Sequence, residues 1–224
     1  MSRAINAEEG FGVYHPVLDG EECASLLTTL TGVPRSRAGS RHLLWHPAVS
    51  ALAHDARLAD IASAFLGRTP FPYRATLFEK SERSNWLVVW HQDTALPFKS
   101  RFEALGCGPW SVKEGVLYAH APAFALSRIV ALRVHLDDSE HSNGPLRVVP
   151  GSHRLGVLTD ESIAATVQAS PVIECTVAAG GVLAMRPLLL HSSGKMTTSS
   201  PRRVIHIEYA DSPDLGAGLE LAVA

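Results

Sequence analysis

The sequence predicts a mainly β protein with flanking α-helices, a sandwich or barrel of short strands laid against two helices. From Pro70 onward the chain turns to short runs rich in β-branched and aromatic residues, broken by Gly, Pro, Asn and Ser. Those runs recur at the spacing of a sandwich or barrel. Ahead of them stand two segments whose apolar residues follow helical spacing.

The first helical segment opens at Asp19-Gly20-Glu21-Glu22, carries Cys23, Leu26, Leu27 and Leu30 on one face, and closes at Gly32 and Pro34. A second helix is expected over residues 47–65, with Val49, Leu52, Leu58, Ile61 and Phe65 inward and Gly67 as the stop. Both should buttress one face of a sheet. Strands are expected over residues 73–78, 86–91, 129–136, 146–149, 172–177, 182–185 and 203–209. Polar turns follow at residues 137–144 and at Pro150-Gly151-Ser152-His153.

At 224 residues, 46% hydrophobic and 19% charged, the chain suits one globular domain over residues 1–224, with a helical buttress at 1–69 and a β core at 70–211. No repeat, linker or low-complexity tract argues for a second. A net charge of -2 offers no electrostatic footprint for nucleic acid or an anionic membrane, which leaves a small molecule as the expected partner. Oligomeric state is not legible. Cys23, Cys107 and Cys175 are scattered and odd in number, as reduced thiols would be. With an acidic, polar N-terminus and no apolar run of membrane length, they point to a cytoplasmic protein.

The sharpest local signal is Trp90-His91-Gln92-Asp93 at the end of an apolar run. In extended chain, residues two apart point the same way, so His91 and Asp93 can meet one metal ion. A facial triad needs a second histidine from a distant strand. His191 fits, because it ends the apolar run 182–190 and precedes Ser192-Ser193-Gly194, a turn-forming triplet. Eleven histidines produce His-x-Asp readily by chance, so a further residue is needed. Arg202 supplies it at the head of the last strand: a dicarboxylate chelating a metal through one end needs its other end fixed, and a guanidinium does this with a bidentate pair.

With Trp90-His91-Gln92-Asp93, Leu136-Asp137-Asp138, the segment from Asn143-Gly144-Pro145 to His153-Arg154, and His191 with residues 202–209, the chain resembles the phytanoyl-CoA dioxygenase family of Fe(II)- and 2-oxoglutarate-dependent oxygenases. The resemblance implies a double-stranded β-helix (jelly roll, cupin-like) in the 70–211 core. It also implies His91, Asp93 and His191 as metal ligands and catalytic centre, and Arg202 as the cosubstrate anchor, with Arg203 the alternative should the register slip by one. The implied activity is an oxidoreductase that consumes 2-oxoglutarate and O2 and hydroxylates a small organic substrate, releasing succinate and CO2. Halogenating relatives carry a small residue where Asp93 stands, so its carboxylate argues against halogenation. Residues 110–115 resemble a loop of small bacterial members and should lie over the pocket mouth.

Two rival readings use the same residues. Two histidines and a carboxylate also make a catalytic zinc site, which leaves Arg202 idle. A ligand-binding jelly roll without turnover would keep the pocket alone. Among further residues, Lys80 stands at a strand end that edges the pocket in relatives and could steer an acidic substrate, with a solvated lysine the simpler reading; Arg133 and His135 share a strand face and could touch substrate, with interior filling the simpler reading; Phe78, Trp86 and Trp90 read as packing aromatics. No phosphate loop, nucleophile elbow or paired-cysteine motif occurs.

Overall fold

A computed structural model describes residues 8–36, 39–101 and 106–224. What was expected of residues 1–7, as a polar start without a signal peptide and as part of the buttress, lies outside the described residues. The elements run β1 (Phe11–Tyr14), α1 (Gly20–Thr29), β2 (Gly39–Ser40), α2 (Pro47–Ala53), α3 (Ala56–Leu66), β3 (Phe71–Lys80), β4 (Val88–His91), β5 (Ala95–Phe98), β6 (Trp110–Lys113) and β7 (Val116–His120). They continue with α4 (Ala123–Leu126), β8 (Ile129–His135), β9 (Leu146–Val148), α5 (Asp160–Ala169), β10 (Ile173–Cys175), β11 (Val182–Met185), β12 (His191–Ser193) and β13 (Arg202–Ala210).

Helix α1 begins where a capping box forms: Asp19 accepts from the Glu22 backbone and Glu22 reaches back to the Asp19 backbone. The expected helix over residues 47–65 is two. His54 ends α2, and the Asp55 carboxylate accepts from the Arg57 backbone at 2.8 Å to start α3 on a new axis. An N-cap residue has a non-helical backbone, so the apolar period runs through a break that Asp55 makes. Gly67 closes α3 at φ 68°, a conformation glycine adopts freely.

Three antiparallel sheets form, ordered β1-β11-β8-β13-β3-β2, β10-β9-β12-β4 and β5-β7-β6. The period of two sorts the first sheet into two faces. Ala75, Leu77, Val130, Leu132, Val134, Val182, Ala184, Ile205, Ile207 and Tyr209 pack against α1, α2 and α3 in one core. The alternate residues turn inward to the second sheet, where Phe11, Ala131, Leu183 and Met185 meet Leu146, Val148, Cys175 and Leu189. Two opposed antiparallel sheets with this strand order make the jelly roll.

Several strands escape the sequence pattern. β1 lies inside the expected helical buttress yet pairs with β11 along the sheet edge. β5 and β7 form part of a third sheet whose Leu96, Phe98 and Ala119 pack on Leu215, Leu219 and Leu221, so the core extends past residue 211. The apolar run 182–190 is no single strand: Val182–Met185 serves the first sheet, the chain bends at Pro187, and His191–Ser193 joins the second. Ser192 and Ser193 are therefore strand residues rather than a turn. α5 presents no buried residue, and so has no apolar stripe to announce it. Among the described residues no helix is long and apolar enough to cross a membrane.

Asp55 also grips the Arg57 side chain, which bridges on to Glu22 at the head of α1. Asp55→Ala should lower unfolding stability by about 1 kcal/mol, read as a shifted urea midpoint with an unchanged slope.

Candidate metal centre and its pocket

His191 on β12 and His91 on β4 are direct cross-strand partners in an antiparallel pair. Opposed residues in such a pair share a face, so register alone brings the two rings together, tilted by 53° with centroids 4.2 Å apart. Each ring is locked in the same way. His91 Nδ1 donates to the Val89 carbonyl and His191 Nδ1 to the Leu189 carbonyl, both at 2.8 Å, which leaves each Nε2 lone pair free.

Asp93 follows Gln92, whose side-chain amide reaches the Leu188 and Gly156 carbonyls. Gln92 turns away from the pocket and donates to both of those carbonyls at 2.8 Å, so Asp93 faces the histidines. Its Oδ1 lies 3.6 Å from His91 Nε2 and its Oδ2 lies 3.5 Å from His191 Nε2. Donors on one face of an octahedron with bonds of roughly 2.1 Å stand roughly 3 Å apart. The three donor atoms thus sit close to ligation distance, all within 4.8 Å of one another. Burial alone would raise the Asp93 carboxyl, but His191 and His91 hold it well below the usual carboxylate range. Burial pushes His191 down to about 4, so it is neutral and able to ligate near neutral pH.

The donors open on a cavity of about 170 Å³ between the first two sheets. At its far end lies a polar cluster built around Ser193. The Ser193 hydroxyl donates to the Gly144 carbonyl at 2.8 Å and accepts from Lys80 Nζ at 2.7 Å and Arg202 Nη2 at 3.4 Å. Arg202 Nε donates to the Asn143 carbonyl, while its buried Nη1 has no partner. Gly144 is needed where the chain passes this cluster: its φ is 69°, and a Cβ there would lie 2.4 Å from the Gly194 carbonyl oxygen.

Register separates the two adjacent arginines. Arg202 pairs with Lys80 and turns inward, whereas Arg203 turns outward and forms a bidentate pair with Asp137, both bonds at 2.7 Å. Arg203 is fully engaged there.

The phytanoyl-CoA dioxygenase family model matches residues 7–204, most of the chain. This chain belongs to the phytanoyl-CoA dioxygenase family. It is 27% identical over 185 residues to an ectoine dioxygenase of Sphingopyxis alaskensis, covering 73% of this chain and 54% of that one. It spans about half the length of the ectoine dioxygenases it matches. Among solved structures, AviO1 from Streptomyces viridochromogenes Tue57 superposes with a TM-score of 0.65 at 26% identity, covering 96% of this chain and 94% of that one. HygX from Streptomyces hygroscopicus, solved with nickel and 2-oxoglutarate bound, gives 0.65 at 19% identity, over 92% and 83%.

Other residues of this phytanoyl-CoA dioxygenase family member depart from their sequence reading. Lys80 is not solvated but 1% exposed, and Phe78 and Trp86 line the pocket instead of filling a core. Trp90 alone faces elsewhere, against Arg147. Residues 110–115 form strand β6 and a hairpin turn, and none of them lines the cavity. Arg133 lines it; His135 lies behind it, with both ring nitrogens unpartnered. His206, left unassigned from sequence, also lines it. Its signal was present in the alternation that makes Arg202, Val204, His206 and Glu208 one face of β13.

Burial, with Arg202 and Arg133 nearby, pushes Lys80 down to about 7 from 10.5. Between those pH values the unfolded chain holds a proton that the folded one has shed, so raising the pH favours folding. From pH 7 to pH 9 the wild type should therefore gain roughly 2 kcal/mol relative to Lys80→Met, measured by urea unfolding.

Proposed function

We propose that this protein is an Fe(II)- and 2-oxoglutarate-dependent dioxygenase that hydroxylates a small organic substrate. The observation that carries the reading is one cavity with a three-donor metal centre at one end and a buried, unsatisfied guanidinium at the other. Family membership and the 2-oxoglutarate bound in HygX support it.

The residues fit the absent groups. Two imidazoles and a carboxylate without a thiolate suit Fe(II), and three donors on one side leave the opposite side to the cavity. His91, Asp93 and His191 would hold the metal. Arg202 Nη1, short of an acceptor, would receive the remote carboxylate of 2-oxoglutarate, flanked by Lys80 and Ser193. Arg203, committed to Asp137, would not take that part. Iron with 2-oxoglutarate supplies the oxidising power from O2, giving succinate and CO2 as the substrate is hydroxylated.

The chain's own work is orientation and exclusion of water. The Val89 and Leu189 carbonyls keep both histidines in the ligating tautomer. Phe78, Trp86, Val88 and Leu146 give the cavity apolar walls. Reduced thiols at Cys23, Cys107 and Cys175 and a buried-ligand site for a metabolite suit a cytoplasmic enzyme working as one domain. A zinc hydrolase reading explains the triad but gives Arg202 no task.

Anaerobic titration of the apoprotein with Fe(II) and then 2-oxoglutarate should produce the weak visible charge-transfer band of the chelate. His191→Ala should abolish the band, and Arg202→Ala should raise the 2-oxoglutarate needed by about tenfold or more, the size of a lost charge-assisted bond. A well-folded, iron-loaded wild type without the band would rule out the oxygenase and favour the zinc or non-catalytic reading.

A further inference from the structure

The same cavity holds a second guanidinium that the proposed cofactors leave unexplained. Arg133 projects inward from β8, paired across the sheet with His206 on β13 and Leu183 on β11. It is 7% exposed and lines the cavity with His91, Asp93 and His191. Its Nη1 donates to His206 Nδ1 at 3.2 Å and its guanidinium lies 5.4 Å over the Phe78 ring, but its buried Nε has no partner. Among the described residues no carboxylate stands within ion-pair distance of it.

Three other arginines show what is missing. Arg74 pairs with Glu208, Arg203 with Asp137, and Arg186 donates to the carbonyls of Ser127, Ile129 and Phe65. Burying a guanidinium without an anion is costly to the fold. A guanidinium cannot accept, so His206 Nδ1 must, and the remaining ring proton sits on Nε2, 4.0 Å from Glu208. Glu208 and His206 thus brace Arg133 and leave its buried Nε without a partner.

Charge balance points the same way. With Arg74 already paired to Glu208 and Lys80 only partly charged near neutral pH, Arg133 and Arg202 still line the cavity against the single carboxylate of Asp93. A divalent metal and a dicarboxylate cosubstrate cancel each other, so loading the site leaves that excess in place. The strand positions of Arg202 and Arg133 are also well separated. Along β13 the Arg202 pairing and the His206–Arg133 pairing lie four residues apart, roughly 13 Å, against roughly 5 Å between the ends of a five-carbon dicarboxylate. The metal also neutralises the near carboxylate.

We propose that Arg133 is a specificity residue whose guanidinium binds a carboxylate of the primary substrate, so that the site selects anionic small molecules. This rests on the oxygenase reading, and the wild-type charge-transfer band tests that reading separately. The test loads wild type, Arg133→Leu and Arg133→Lys with Fe(II) and saturating 2-oxoglutarate without oxygen. Acetate, propionate and benzoate are then added, each beside its amide at matched ionic strength, and melting is followed. At tens of millimolar, at least one carboxylate should raise the wild-type Tm by about 3 °C over its amide. Arg133→Leu should lose that difference and Arg133→Lys keep part of it. The 2-oxoglutarate titration of Arg133→Leu should stay within about twofold of wild type, and its ligand-free Tm should not fall. The proposal is overturned if wild type does not tell carboxylates from amides, or if Arg133→Leu weakens 2-oxoglutarate about tenfold, which would give the anion to the cosubstrate. Either failure would leave the wild-type band intact.

Discussion

The register of β13 between β3 and β8 is the constraint on which this molecule depends. Every second residue of those strands packs on the helices, and the intervening ones enter the cavity. Ile205, Ile207 and Tyr209 bury apolar area against α1, α2 and α3, and any slip by one residue would exchange them with Arg202, His206 and Glu208. The hydrophobic face therefore fixes the polar one. Burial on the helix side holds the cations in rows: Arg202 beside Lys80, His206 between Thr76 and Arg133, Glu208 between Arg74 and Ala131. Chemistry in the cavity is specified by packing outside it.

Ser193 shows how the second sheet meets those rows. It lies two residues beyond His191, on the same face of β12, so the strand that carries a metal donor also carries the hydroxyl that orders Lys80 and Arg202. Donor and anion ends of the pocket are thus one strand step apart on a rigid element rather than on separate loops. Gly144 lets the connection after β8 pass close enough to accept from that hydroxyl.

Much of this was legible in the chain because it obeys local rules. Strand 182–185, the capping of α1 by Asp19 and the His-x-Asp pair rest on period and spacing, which sequence displays directly. What stayed hidden depends on partners. α5 buries nothing, β1 is four residues around a glycine, and β5 contains Pro97, so none carries a strong period. Asp55 looked like one polar residue in an apolar helix until its contact with the Arg57 backbone marked a new start. Lys80 reads most simply as surface because lysine usually is, and its burial comes from partners distant in sequence, Ser193 and Gly194. Arg133 and His206 acquire meaning solely from facing each other across two strands.

The cross-strand histidines have a mechanical side as well. β4 is the outermost strand of its sheet, joined only to β12, and its pairing shifts register between His191 and Ser193. It also shows Leu87 and Val89 to solvent, the kind of edge that invites pairing with another chain. An ion held by His91, Asp93 and His191 would clasp that edge to its neighbour across about a hundred residues of chain, as a covalent crosslink closes a long loop. A metal there would brace the sheet edge as well as occupy the pocket.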